Sequence, residues 1–327
     1  MFATLLGALP MPTLPEGEEL GSSAGAEAAV EVVIRAQEEA GLEPITDGRL
    51  GDRDPERFAD WQPGTAVRNW GFAAQLTDHA VKQALPGPYS LGRLLANEDR
   101  DDRAAGSGTA KERPRRTLAL AKALRAEIDA LTAAGCPLVE IEESEANGIG
   151  TNDAERRLFR EAHHLLVDGV TGTHLSLSIV GGAANEAGLE TILDARYSSL
   201  AVDLIAGPDN WHLVTPLGGD LGVIVGAESA RAVDEPKEVL LWAAHYAAST
   251  RGRGLDRIGI GSAGSYGNLT WEAAVRKMGI LGEAARLATL PPGDNLARSL
   301  DPRALDARRA AMGHDAPASR SRREGEG

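Results

Sequence analysis

Eight short apolar runs, most followed by a stretch with helical periodicity, recur between residues 3 and 288, and this alternation limits the folds open to the chain. The runs fall at 3–10, 42–46, 80–85, 137–142, 171–179, 199–205, 221–226 and 257–261. Between them, 24–40, 118–134, 152–167, 236–249 and 271–288 place apolar residues three and four apart, the spacing of an amphipathic helix. A shorter helix is predicted at 186–195, and another after the Pro86-Gly-Pro88 turn. Strands alternating with helices imply a parallel sheet covered by helices. Eight such units in about 290 residues predict an α/β fold, a single-domain (β/α)8 TIM barrel. An open doubly wound sheet is the alternative. No GxGxxG follows an early strand and no GxxxxGK[ST] occurs, so nucleotide-phosphate loops are not indicated.

The barrel is expected to occupy residues 1–290. Residues 291–327 form a Pro-, Arg-, Asp- and Gly-rich tail whose end is expected to be disordered. Two further stretches read as irregular: 52–77, an insertion carrying Trp61 and Trp70, and 97–116, a charge-dense loop around Gly106-Ser-Gly108.

Composition narrows the function. The formal charge is -14, against nucleic acid as a main partner, because phosphate binding needs a basic face. No apolar run reaches the roughly 18 residues of a membrane span. No basic-then-apolar leader opens the chain, so a cytoplasmic protein is expected. Cys136 is the only cysteine, which rules out a multi-thiolate metal site within the chain. Its place at a helix-to-strand junction suits a small buried residue.

In a barrel, chemistry is done at the carboxyl ends of the strands. Pro137-Leu-Val-Glu-Ile-Glu-Glu-Ser144 begins as a buried strand and ends in carboxylates: Glu140, Glu142 and Glu143. Buried acids are costly unless paired or used. Asp47 and Arg49, Lys82, His174 with Ser176, Asp203 and Ser262–Ser265 also fall at predicted strand ends. Asp203 interrupts an apolar run and would be expensive unpaired. Three acids around one pocket would repel unless Arg49 or Lys82 neutralised them. His174 shares a strand face with Ser176 and Ser178; a lone strand histidine is either hydrogen-bonded in place or catalytic.

The order of these motifs resembles the catalytic barrel of cobalamin-independent methionine synthase, in the superfamily that includes uroporphyrinogen decarboxylase. Residues 3–12 are similar to that family's opening strand, Gln37 to Arg49 to its Gln-x-x-x-Gly…Gly-Glu segment, and 81–91 to its Lys-x-x-x-x-Gly-Pro-x-Thr stretch. Glu140-Ile-Glu-Glu-Ser144 stands where it has Gln-Ile-Asp-Glu-Pro, and His174-Leu-Ser176 where it has His-x-Cys. Asp203 lies near its zinc-binding Glu, and 261–264 near its final Pro-x-Cys-Gly. The departures change the chemistry that the resemblance implies. Ser176 replaces a zinc thiolate and the last motif has no cysteine, so thiolate zinc is not expected; His174 and Asp203 would be the only remnants of that site. Arg49 replaces a carboxylate that would meet an amino acid's ammonium, which favours an acidic group on the substrate.

The resemblance therefore implies a methyl (one-carbon) transferase, folate-linked with methyltetrahydrofolate as donor, without thiolate zinc and with a non-homocysteine, anionic acceptor. Glu142 and His174 would be catalytic. Asp47, Arg49, Lys82, Tyr89, Glu143, Ser176, Asp203 and Ser265 would surround the substrate. A metal-independent lyase of the uroporphyrinogen-decarboxylase type and a non-catalytic small-molecule-binding barrel are the alternatives.

Overall fold

The computed structural model describes residues 1–14, 22–50, 64–102 and 109–290. Among these described residues, seven parallel strands curl into a near barrel: β1 (Phe2–Thr4), β2 (Lys82–Pro86), β3 (Leu138–Glu143), β4 (His174–Ile179), β5 (Ser199–Asp203), β6 (Gly222–Glu228) and β7 (Ile258–Ser262). Their order is β1-β7-β6-β5-β4-β3-β2, every neighbouring pair parallel. The α/β TIM-barrel class expected from the alternation is the class observed.

The eighth expected strand, 42–46, is the departure. It survives as one parallel bridge, Ile45 to Val81. The segment still spans the gap between β1 and β2: Glu43 N donates to Ala3 O at 2.8 Å, Ile45 N to Ala80 O at 2.9 Å, and Lys82 N to Ile45 O at 2.9 Å. Pro44 has no N–H to give, so a continuous ladder is interrupted there. A buried side chain replaces it. Gln37 receives Thr46 N at 3.0 Å and donates to Thr46 O at 2.7 Å.

The helices that cover the barrel are α1 (Ser23–Glu39), α2 (Thr65–Gln75), α3 (Pro88–Asp102), α4 (Thr109–Ala133), α5 (Asp153–Val167), the one-turn α6 (Leu189–Ile192) and α7 (Trp211–Val214), α8 (Lys237–Ser249) and α9 (Trp271–Ala288). Ser22, Asn152 and Thr270 cap α1, α5 and α9 through their side chains, as short oxygen-bearing residues do. Two regions read from sequence as irregular contain helix. The 52–77 stretch includes α2, and the charged 97–116 stretch contains the end of α3 and the start of α4; 51–63 and 103–108 lie outside the described residues, as does the 291–327 tail. The helix predicted at 186–195 shrinks to a 3-10 turn and α6. No helix among the described residues is long and apolar enough to cross a membrane.

Outward-facing strand residues such as Val139, Ile141, Leu177, Val202 and Val225 pack under the helices in one continuous core. Inside the barrel the filling is divided. One half is apolar, with Leu6, Ala201 and Ile224 against Phe2. Gly259 and Gly261 fit there because a Cβ would meet the Phe2 ring at 2.5 Å or Ile224 Cγ2 at 3.1 Å. The other half, along β2, β3 and β4, is polar.

Candidate functional site

A cavity of about 360 Å³ opens at the carboxyl ends of the strands. That is within the size range of small-molecule sites. Its wall is built from the loops after β1, β2, β3, β4 and β7, from Arg49, and from the first turns of α3: Gly7, Ala8, Pro86, Ser90, Leu91, Leu94, Glu142, Ser144, Val180, Ser265, Gly267 and Asn268.

Glu142 and Arg49 are its charged pair, 93 positions apart in the chain. Glu142 is the penultimate residue of β3 and points into the barrel mouth. Its Oε1 accepts from Gly7 N at 2.8 Å, and its Oε2 accepts from Arg49 Nη1. Arg49 is carried by a tight turn with φ of 50°, and its own N–H donates to Asp47 Oδ1 at 2.9 Å. Leu9 N donates to Gly48 O at 2.9 Å, locking this turn to the loop after β1. Gly7 must be glycine: its φ is 82°, and a Cβ would lie 2.6 Å from Ser265 Cα. Ser265 closes the same junction, accepting from Ala8 N at 3.2 Å and donating to Ala8 O at 3.1 Å.

The structure thus brings Glu142, Arg49 and Ser265 to the cavity, with Asp47 behind Arg49. The remaining predicted residues lie elsewhere. Glu143, one residue on, points the opposite way because strand side chains alternate. It is fully buried and meets Tyr89 N at 3.1 Å, Ser90 N at 2.8 Å, Ser90 Oγ at 2.5 Å and His163 Nε2 at 3.0 Å. His163 Nδ1 continues to Tyr197 Oη at 2.6 Å. The carboxylate therefore caps the N-terminus of α3, a favourable place for an anion. Tyr89 also faces outward; its hydroxyl donates to Glu155 at 2.6 Å, and burial, reinforced by that carboxylate, raises its pKa.

Lys82 lies below the cavity inside the barrel, donating to Glu140 Oε2 at 2.9 Å and Leu5 O at 2.5 Å. Ser176 is buried in that interior. Asp203 ends β5 and turns back on its own loop, accepting from Ile205 N and Ala206 N, both at 2.8 Å. Burial raises its pKa, and the backbone N–H groups of Ala206, Ile205, Gly181 and Gly207 oppose that shift.

His174 is the largest correction. It is the first residue of β4, in register with Leu138, and hydrogen-bonds Ser199 Oγ at 2.8 Å. Four strand positions separate it from the level of Glu142, roughly 13 Å at the strand rise. It lies at the opposite end of the barrel from the cavity. The sequence reading placed the strand's polar positions correctly on one face but not at the correct end.

A zinc site does not fit the donors that the resemblance pointed to. His174 and Asp203 are at opposite ends of neighbouring strands, roughly 20 Å apart along them. Cys136 precedes β3 at the far end, and burial pushes its thiol up to about 11. Among the described residues no three His, Cys, Asp or Glu side chains are grouped to hold a metal.

Sequence reasoning missed Ser90 and Asn268 as cavity residues. The Pro86-Gly-Pro-Tyr-Ser90 turn at a strand end was the available signal for Ser90. It also missed the buried pair between Glu228 at the end of β6 and Lys277 of α9, 2.6 Å apart.

Barrel and cavity together place an open pocket on the carboxyl face, where parallel β/α barrels build their sites. Within that class, the fold is that of the B12-independent methionine synthases. The chain superposes on the enzyme from Shewanella sp. W3-18-1 in complex with selenomethionine with a TM-score of 0.68 at 16% identity, covering 87% of this chain and 96% of that one. It superposes on the putative vitamin-B12-independent methionine synthase from Listeria monocytogenes with a TM-score of 0.65 at 15% identity, covering 88% and 96%. No protein-family model and no curated protein matches the sequence.

Proposed function

We propose that the chain is a methyl (one-carbon) transferase built on the methionine-synthase barrel, which binds a small acidic acceptor in the Arg49–Glu142 cavity and does not use thiolate-bound zinc. The observation that carries this reading is the Arg49–Glu142 pair at the floor of a carboxyl-face cavity on this particular fold. A planar guanidinium recognises carboxylates, phosphonates and sulfonates through two parallel bonds. An acidic acceptor would exchange with Glu142 for Arg49. Glu142, held by Gly7 N–H, is then the group that orients the acceptor or takes its proton. Methyltetrahydrofolate is the methyl donor to be tested first. The fold supports this reading by analogy, and the site chemistry supports its acidic acceptor.

The test is methyl transfer from methyltetrahydrofolate to a panel of small acids and thiols, with metal analysis of the purified protein. Turnover of an acidic acceptor without stoichiometric metal, abolished in Arg49→Met, is expected. Homocysteine turnover with stoichiometric zinc, or no turnover with any acceptor, would overturn the proposal.

One observation favours a second reading, a barrel that binds without reacting. Among the described residues, the cavity wall contains no histidine, cysteine, lysine or tyrosine. Calorimetric binding of a small acid without any turnover would select it.

A further inference from the structure

The polar half of the barrel interior lies beneath the cavity, at the inward positions of β2, β3 and β4. Eight-stranded barrels ordinarily fill their centre with layers of large branched side chains. Here the inward positions of β2, β3 and β4 carry Lys82 and Ala84, Glu140 and Glu142, and Ser176 and Ser178. Glu140 is in register with Ala84 on one side and Ser176 on the other, and Glu142 with Ser178. Short side chains therefore surround the Glu140 carboxylate, and their residues are fully or almost fully buried. Oε2 of that carboxylate is met by Lys82. Its Oε1, the Ser176 hydroxyl and the Ser178 hydroxyl are buried, and none of the three has a hydrogen-bond partner among the described residues.

Three such atoms clustered on adjacent strands are a departure from the rule that buried polar groups are satisfied. Packing does not explain them, since alanine or valine would fill these positions without a polar penalty. A ligand that both donates and accepts would satisfy all three: Glu140 Oε1 needs a donor, and each serine can act as either. A cation would be repelled by the Lys82 ammonium, which already holds the same carboxylate. An anion would face Glu140.

We infer that this cluster binds ordered internal water, bridging Glu140 to Ser176 and Ser178 and joining the Lys82–Glu140 pair to Glu142 at the cavity floor. A buried water commonly makes about three hydrogen bonds, the number offered here.

Water-proton or oxygen-17 relaxation dispersion on the intact protein counts long-lived internal waters, and a crystal structure at about 1.5 Å locates them. Wild type is expected to show at least one more long-lived water than the Ser176→Ala/Ser178→Ala variant, with density within hydrogen-bond distance of Glu140 Oε1. Ser176→Val, which fills the space with no polar group, should lose the same water and serves if the double variant does not fold. Equal dispersion amplitude in wild type and a folded variant would overturn the inference. So would a crystal structure in which Glu140 bonds a serine directly.

Discussion

Glu143 gives the most demanding test of the structure, because the sequence alone would group it with Glu142. Replace it with glutamine, which keeps the shape and removes the charge. The carboxylate accepts on both edges: Ser90 N and Ser90 Oγ at Oε2, Tyr89 N and His163 Nε2 at Oε1. An amide can accept on one edge only. Whichever way it turns, its NH2 opposes a main-chain N–H of the first turn of α3. The Ser90 hydroxyl can rotate to accept, but a backbone N–H cannot. One unmet buried donor costs about 1–3 kcal/mol, and the lost anion at a helix N-terminus adds about 0.3–1 kcal/mol. A net loss of about 1.3–4 kcal/mol follows. At about 2–4 °C per kcal/mol for a domain of this size or slightly smaller, the melting temperature should fall by about 3–16 °C. Urea titration followed by circular dichroism measures the loss directly. Glu145→Gln is the control, because Glu145 is partly exposed and its Arg93 contact is long at 3.4 Å; it should cost less than about 1 kcal/mol. If Glu143→Gln is as mild as the control, the assignment of Glu143 to capping rather than to the cavity is wrong.

Three other outcomes follow from the same geometry. Lys82→Met leaves Glu140 buried without its ammonium and should destabilise the protein by about 3–5 kcal/mol, while Lys82→Met/Glu140→Leu recovers most of that loss in the same urea titration. Gly282→Ala puts a Cβ 1.7 Å from Ala40 O where α9 crosses the end of α1, so α9 must shift; a cost of about 1–3 kcal/mol is expected, whereas Gly279→Ala, with nothing near it, should not destabilise. His164 lies between Asp194 and Asp168, and the hydrogen bond to Asp194 first, then those carboxylates' further pull against partial burial, raises its pKa above 6.5. Its stabilisation is therefore fully present below pH 6.5 and is lost as pH rises through the raised value; His164→Asn should flatten that part of the stability–pH curve, and an unchanged curve would remove the ion pair from the account.

Much of the fold was legible in the chain. Apolar runs of strand length, punctuated by helices with their caps, specify a parallel sheet covered by helices on its outside, because such strands must be buried on both faces, and eight such units favour closing that sheet into a barrel. The acids at the end of β3 were legible too, since burying them without a use is costly. What the sequence could not supply was direction and distance. Glu142 and Glu143 are neighbours with the same chemistry, and only the closure of the barrel decides that one faces the cavity and the other faces α3 and α5. His174 was readable as a polar strand residue, but where β4 begins depends on its register with β3, which no local pattern encodes. Arg49 meets Glu142 only because the segment before it is clamped between β1 and β2 by Gln37 and by backbone bonds on both sides. Local pattern settles the class of fold and which strand end carries acids. Tertiary structure decided which residues share the cavity, because strand alternation and register convert a one-residue step or an early strand start into the opposite face or the opposite end of the barrel.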